Sequence, residues 1–141
     1  MQIAKDTYDL IIKKCPLAPP ETGGILGGKD SIVNMCEFDK PDENCLNNSY
    51  QPNVSYLNYI IQQWMKNGFE FYGVFHSHIS GENALSMPDK GYILRIMEAM
   101  PLELSKLYFP IVFPRESMLV YIATRENNAI QIEEDMIALI D

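Results

Sequence analysis

The chain has 141 residues, and its 11 Lys and Arg against 19 Asp and Glu give a formal net charge of −8. About 100–200 residues commonly form one domain, so residues 1–141 are expected to be a single domain. The acidic balance and the lack of any Lys/Arg cluster argue against nucleic-acid binding. No apolar run of about 18 residues predicts a membrane span, and no secretory signal pattern begins the sequence, so we expect a cytoplasmic protein.

The first half of the chain predicts one helix and one hairpin. Apolar residues recur at helical spacing over residues 3–14, and Pro16 ends this helix. A Gly-rich strand over 21–28 and a returning strand over 31–38 are expected to form the hairpin. Residues 39–53 are polar and predict a long loop, and loops of this length often have a function or are mobile.

The second half alternates between helices and strands. Its strongest element is an amphipathic helix that begins at Ser55 and ends at Gly68, which suits the left-handed C′ position. A central strand is expected over residues 69–78. The later elements are a helix over 88–100, strands over 108–113, 118–124 and 129–132, and a short helical end over 136–140. This order predicts an α/β or α+β sheet protein.

The only two histidines of the sequence, His76 and His78, lie at the end of the predicted central strand. Side chains two residues apart on a strand point to the same face. Two imidazoles on one face are suited to binding a metal such as zinc. This pair alone leaves open the alternative of a chance His-Ser-His, with one ring in the core and one on the surface.

Ser86 and Asp89 lie at the predicted start of the next helix. Asp89 is a candidate third ligand, since catalytic zinc sites typically use three protein ligands and leave the fourth position to water. The same two residues are typical of a helix start, with Ser86 as N-cap, Pro88 in the first turn and an acid at N3. Both interpretations can hold together, because a side chain in a first helical turn is rigidly aimed.

Glu21 opens the Gly-rich strand and is the candidate general base, because a carboxylate beside zinc-activated water is usual in metal-assisted hydrolysis. A surface glutamate at a strand end is the alternative. Gly23 and Gly24 follow it, and glycines in a strand allow another backbone to approach closely, which would suit a flexible peptide substrate. The glycine spacing matches neither phosphate-binding motif, so a nucleotide site is not predicted.

Several other chemistries are absent from the sequence. It contains no H-E-x-x-H, no zinc-deaminase pattern and no G-x-S-x-G nucleophile elbow. Cys15, Cys36 and Cys45 are odd in number and form no Cys-x-x-Cys pair. Reduced thiols are therefore predicted rather than a disulfide framework or a zinc knuckle.

Taken together, these residues resemble the JAMM motif. The pattern is a Glu, here Glu21, and then H-[S/T]-H-x(7)-S-x-x-D, which His76, His78, Ser86 and Asp89 match in spacing. This motif defines the JAB/MPN-type zinc metallopeptidases and isopeptidases, and the short chain is similar to their compact prokaryotic members. The resemblance implies an MPN/JAB-like fold, which is a central, mostly antiparallel sheet flanked by helices in a cytidine-deaminase-like layered architecture.

The resemblance also implies roles for the residues. His76, His78 and Asp89 would bind one Zn²⁺ per chain, Glu21 would be the general base, and Ser86 would stabilise the oxyanion. The substrate would be a peptide or isopeptide bond at the C-terminal Gly-Gly tail of a ubiquitin-like or sulfur-carrier protein.

Two alternatives stay open. The chain could be a catalytically silent MPN-like scaffold that binds a protein, or a JAMM peptidase that acts on a small peptide or a cell-wall substrate. The sequence leaves a homodimer open as well.

Overall fold

The computed structural model describes residues 1–40, 50–79 and 85–141. Within these ranges the chain forms three helices and eight strands. In chain order the elements are β1 (Gln2–Ala4), α1 (Lys5–Lys14), β2 (Gly23–Lys29), β3 (Ile32–Phe38), α2 (Val54–Lys66), β4 (Glu70–Ser77), α3 (Met87–Ala99), β5 (Lys106–Phe113), β6 (Ser117–Glu126), β7 (Ala129–Asp135) and β8 (Ala138–Ile140).

All eight strands belong to one sheet, in the order β7-β6-β5-β4-β2-β3-β1-β8. Four neighbouring pairs are antiparallel, and three pairs, β4 with β5, β1 with β3 and β1 with β8, are parallel. This mixed α+β architecture confirms the predicted fold class at that level. β4 lies in the interior of the sheet, so a site at its end has strands on both sides.

Two apolar cores cover the two faces of the sheet. One core packs Ile11 of α1 against Leu26 and Phe75, and the other packs α2 and α3 against Ile25 and Val74. Successive residues of β2 and β4 thus enter opposite cores, as the two-residue repeat of a strand requires. The helices α2 and α3 therefore lie on the face to which Val74, and two residues later His76, belong.

Both ends of the chain differ from the prediction. Residues 2–4 form a strand, so the helix expected over 3–14 begins only at Lys5, and the helix expected over 136–140 is wrong because Ala138–Ile140 forms a strand. The two segments pair in parallel, with Ile3 opposite Leu139. A helix of a few residues is hard to nucleate, whereas a neighbouring strand offers ready hydrogen-bond partners. Tertiary pairing thus outweighs local helical preference.

The other predicted elements are confirmed to within a few residues. Gly68 follows α2 with a φ of 82°, the left-handed conformation that the sequence predicted. Of the predicted loop over 39–53, residues 41–49 lie outside the described residues. None of the described helices is long and apolar enough to cross a bilayer.

The described cysteines, Cys15 and Cys36, are both free thiols. Burial raises the pKa of Cys15 to about 12 and that of Cys36 to about 11. Both thiols therefore stay protonated near neutral pH, which suits neither a nucleophile nor a metal ligand. Cys45 lies outside the described residues.

Gly73 provides a test of how tightly the centre of the sheet is packed. A Cβ at this position would overlap the carbonyl oxygen of Tyr108 on the neighbouring strand β5. Gly73→Ala is therefore expected to lower the free energy of unfolding by about 3 kcal/mol, because the backbone must move. Urea unfolding measures the change.

Gly91 in α3 is the matched control, because its Cβ would meet only the Nη1 atom of Arg95, at 3.4 Å. Gly91→Ala should raise stability by roughly 0.5–1 kcal/mol, the usual helical preference for alanine. Equal effects of the two substitutions would contradict this account of the packing.

Candidate metal centre

The two histidines lie side by side at the end of β4. His76 pairs with Ile111 of β5, and the backbone N–H of His78 donates to the carbonyl oxygen of Val112 at 2.9 Å. Their Nε2 atoms are 3.0 Å apart, as expected for residues on one face of a strand. Each imidazole is only 8% exposed. The same-face prediction is confirmed, and the alternative with one surface ring is wrong.

Asp89 completes the group from the first turn of α3. Its Oδ1 lies 3.2 Å from Nε2 of His76, and its Oδ2 lies 3.3 Å from Nε2 of His78. The carboxylate also accepts a hydrogen bond from the backbone N–H of Ser86 at 3.1 Å. The start of α3 is thereby fixed against the end of β4.

Ser86 caps the helix in return, since its Oγ accepts a hydrogen bond from the backbone N–H of Asp89 at 3.2 Å. The two residues form a capping box, with a proline in the first turn. The helix-start interpretation is therefore confirmed, and Asp89 lies beside both histidines at the same time. Capping uses only a lone pair of the hydroxyl, so its proton remains available to donate to another group.

Asp89 remains ionised in spite of its position. Burial by itself raises the pKa of this carboxyl, but hydrogen bonds from His76, His78 and Ser86 together hold the pKa well below its usual range. The three side chains thus offer two imidazole nitrogens and one anionic oxygen.

This donor set fits a metal ion. The three potential ligand atoms lie within 4.8 Å of one another. Two nitrogens and one carboxylate oxygen are typical ligands of catalytic zinc, which keeps its fourth position for water or substrate. A site for a softer metal ion such as Cu(I) would need thiolate ligands. Both described cysteines pack in the apolar core and stay protonated, so neither supplies a thiolate. The residues present therefore fit Zn²⁺.

Glu21 is directed to the same place by the pairing of β2 with β4. Gly23 lies opposite His76, and continuing this antiparallel register would bring Glu21 opposite His78. Thr22 and Ser77 form two hydrogen bonds. The backbone N–H of Thr22 donates to Oγ of Ser77 at 2.8 Å, and the backbone N–H of Ser77 donates to the carbonyl oxygen of Thr22 at 2.7 Å. These bonds extend the pairing beyond the last residue of β2.

A cleft of about 270 Å³ opens at this end of the strands. Its walls contain Glu21, His76 and Asp89 together, so the candidate base faces two of the candidate ligands across one space. The structure therefore brings together four of the predicted site residues, Glu21, His76, His78 and Asp89, and places Ser86 beside them.

Gly23 and Gly24 are both buried in an inner strand of the sheet. A Cβ on Gly23 would overlap the ring of Tyr50, and a Cβ on Gly24 would overlap the carbonyl oxygen of Glu37 and crowd the ring of Phe75. The close approach that these glycines permit is thus to residues of this chain. Their contact with a substrate stays a prediction.

Two tyrosines that the sequence analysis did not single out enclose the His76 ring. Tyr50 stacks on it with 6.5 Å between ring centroids, and Tyr92 contacts it edge-on at 6.3 Å. Tyr50 is held in turn by its hydroxyl, which donates to Oδ2 of Asp39 at 2.8 Å. Aromatic rings packed on two sides restrict the orientation of the imidazole.

A helical repeat could have revealed one of these tyrosines. Tyr92 and Arg95 follow Asp89 at intervals of three residues, so all three share one side of α3, and all three line the cleft. No sequence spacing indicates Tyr50, which is brought close to His76 only by the tertiary fold. Strand alternation predicts that Ser77 points into the core, and its hydrogen bond with Thr22 is visible only in the structure.

Comparison with known proteins supports the fold and assigns neither a family nor a function. The chain is similar to the solution structure of protein DSY2949 from Desulfitobacterium hafniense, at 18% identity and a TM-score of 0.60, covering 99% of this chain and 93% of that one. A protein from Salinibacter ruber (strain DSM 13855) matches at 16% identity and a TM-score of 0.54, covering 100% and 92%. No protein-family model and no curated protein matches the chain.

Metal analysis tests the centre directly. The purified chain should bind one Zn²⁺, and saturating zinc at about 1,000 times its Kd should add about 4 kcal/mol to the free energy of unfolding. Asp89→Asn keeps the shape of the side chain but removes the anionic ligand. It should weaken zinc binding by more than about 10-fold, the lower bound seen even when an indirect partner is lost.

Asp9→Asn is the control, because Asp9 is exposed on α1 and pairs only with Lys5 at 3.1 Å among the described residues. Its zinc affinity should equal that of the unaltered chain. A chain that binds no zinc, or an equal loss in both variants, would disprove the assignment. Isothermal titration with zinc alone provides the measurement.

Proposed function

We propose that the chain is a zinc-dependent hydrolase of the JAMM type, an MPN/JAB-like metallopeptidase or isopeptidase. The observation that carries this proposal is the convergence of His76, His78 and Asp89, with Glu21 across the same cleft. The five residues of the motif come from three separate segments of the chain, and their spatial proximity is what a working site of this type needs.

Each residue has a definite task in this proposal. Bound zinc would supply an acidified water, with a pKa near 7, and would polarise the scissile carbonyl. Glu21 would accept the proton of the attacking water and return it to the leaving amine. The Ser86 hydroxyl, whose proton is not used in capping, would donate to the oxyanion as it forms.

The proposed substrate is a peptide or isopeptide bond at the C-terminal Gly-Gly tail of a ubiquitin-like or sulfur-carrier protein. The JAMM resemblance supports this choice, together with an acidic chain of net charge −8 that tolerates a neutral or basic tail. Glycine residues have no side chain, so they can pass through a narrow cleft beside the ligands.

Glu21→Ala separates an enzyme from a silent scaffold. The substitution removes the base but no ligand, so zinc content should be unchanged while cleavage of fusions to a Gly-Gly tail falls by about 10²–10⁴-fold. A pull-down with this variant should retain the substrate protein. Glu116→Ala, in the exposed turn before β6, should retain full activity.

Two outcomes of this experiment would count against an enzyme. One is that the zinc-loaded chain cleaves no Gly-Gly fusion, and the other is that Glu21→Ala cleaves as fast as the unaltered chain. Either outcome would favour the alternative of an MPN-like binding scaffold. Chelator treatment provides a further check, since it should stop hydrolysis and added zinc should restore it.

Ser86 requires two substitutions because it both caps α3 and faces the site. Ser86→Ala should lose about 1 kcal/mol of stability through the cap and about 10²–10³-fold in kcat through the hydroxyl. Ser86→Gly should lose only a few tenths of a kcal/mol, because glycine is an acceptable N-cap, but the same factor in kcat. A rate that follows stability instead would restrict Ser86 to capping.

A further inference from the structure

An apolar groove lies next to the metal cleft, on the face of the sheet covered by α2 and α3. It has a volume of about 490 Å³, within the range of about 300–1,000 Å³ usual for ligand pockets. Its walls are formed by Ile25 and Val74 of the sheet, Leu57 and Ile61 of α2, and Ile96 of α3 with Met100 directly after that helix.

The groove and the metal cleft meet at three residues. Pro52, Tyr92 and Arg95 line both spaces, so a ligand in one can extend into the other. Tyr92 and Arg95 are also, with Asn58, the polar residues of a groove wall that is otherwise apolar. The two share one side of α3, and the polar groups of the groove are therefore concentrated where it joins the cleft.

Both residues at the junction are donors without an acceptor among the residues that the structure describes. The hydroxyl of Tyr92 is buried and has no hydrogen-bond partner in residues 1–40, 50–79 and 85–141. Arg95 is exposed and forms no ion pair with any carboxylate of the described chain, so its guanidinium can reach a ligand. For the Tyr92 hydroxyl, burial without a partner is costly and calls for an explanation. A ligand with anionic acceptor oxygens would give that hydroxyl an acceptor and would pair with the Arg95 guanidinium.

We infer that the groove binds a large apolar C-terminal residue of the substrate, with its free α-carboxylate held by Arg95 and Tyr92 at the junction. This inference rests on the proposed function, because the scissile amide of that residue would lie in the metal cleft. The occupant is one amino acid, and the reaction is removal of that residue from the end of a chain.

The chemistry of a single α-carbon explains why the three features adjoin. An apolar side chain, a carboxylate and the amide nitrogen of the scissile bond all leave the same Cα. The groove, the Arg95 junction and the metal cleft are three adjoining spaces that would receive one group each. Arginine suits the carboxylate because its planar fork binds both oxygens.

The proposed step is a simple hydrolysis. The C–N bond before the terminal residue breaks, and water supplies the oxygen of the new carboxylate and a proton to the released amine. Glu21 carries that proton between the two. The products are a chain that now ends in a free carboxylate and one apolar amino acid, and no other reactant is needed.

The test compares peptides that differ only at their last residue. Zinc-loaded full chain is given acetylated peptides that end in Gly-Gly-Phe acid, Gly-Gly-Phe amide and Gly-Gly-Ala acid. The Phe acid should be cleaved with a kcat/KM about 10–10²-fold above the Phe amide, since a hydrogen bond to a charged group accounts for that factor. The Ala acid should be cleaved more slowly than the Phe acid.

Variants then assign the preference to residues. Arg95→Gln should lower kcat/KM for the Phe acid towards that of the amide and leave the amide unchanged. Lys90→Gln is the matched control, because it removes the same charge from an exposed position of α3 outside both spaces. Ala99→Phe should fill the groove and remove the preference for Phe over Ala, while Leu94→Phe on the same helix should not.

The inference is overturned if acid and amide are cleaved equally, or if Arg95→Gln lowers both alike. Cleavage of Gly-Gly fusions without any preference for a free carboxylate would leave the proposed function intact and reject this inference alone.

Titration of the Glu21→Ala variant with the uncleaved Phe acid and amide provides an independent measurement of binding. If the unaltered chain hydrolyses nothing, the proposed function fails. The carboxylate site is still supported if the acid binds more tightly than the amide and Arg95→Gln abolishes that difference. Equal binding of acid and amide rejects it.

Discussion

Asp89 is a carboxylate with a side chain only 17% exposed, and burial of a charge costs several kcal/mol unless the surroundings compensate. Here the compensation comes from two imidazoles and from the backbone N–H of Ser86. These partners belong to the end of β4 and to the start of α3, so this single group links the strand end to the helix start. The cleft opens beside that link, and Asp89 lines it.

The relative placement of the candidate ligands was predictable within each pair, because the two members of a pair follow a short-range periodicity. The two histidines are two residues apart on a strand, and Ser86 and Asp89 are three apart at a helix start. Each spacing determines the direction of its side chains before any tertiary contact forms. What brings the pairs together is the parallel pairing of β4 with β5 and the packing of α3, and the motif resemblance anticipated this proximity where periodicity could not.

Long-range contacts account for what was missed. The strand β8 exists because β1 offers it a partner more than 130 residues away in sequence, and no local pattern of residues 136–140 records that partner. The stacking of Tyr50 on His76 is similar, since 25 intervening residues separate them. Tyr92 differs, because its three-residue spacing from Asp89 is visible in the sequence, but the same spacing is typical of ordinary helical packing.

Asp39 has a further consequence for how this fold can vary. Its Oδ2 accepts hydrogen bonds from the Tyr50 hydroxyl and from the backbone N–H of Asn53, both at 2.8 Å. The two ends of the intervening segment are thus anchored beside the cleft, independently of what lies between them. The entropic cost of lengthening a loop with fixed ends rises only slowly with length. A segment of another length could therefore connect the same two anchored ends, while the residues that line the cleft keep their positions.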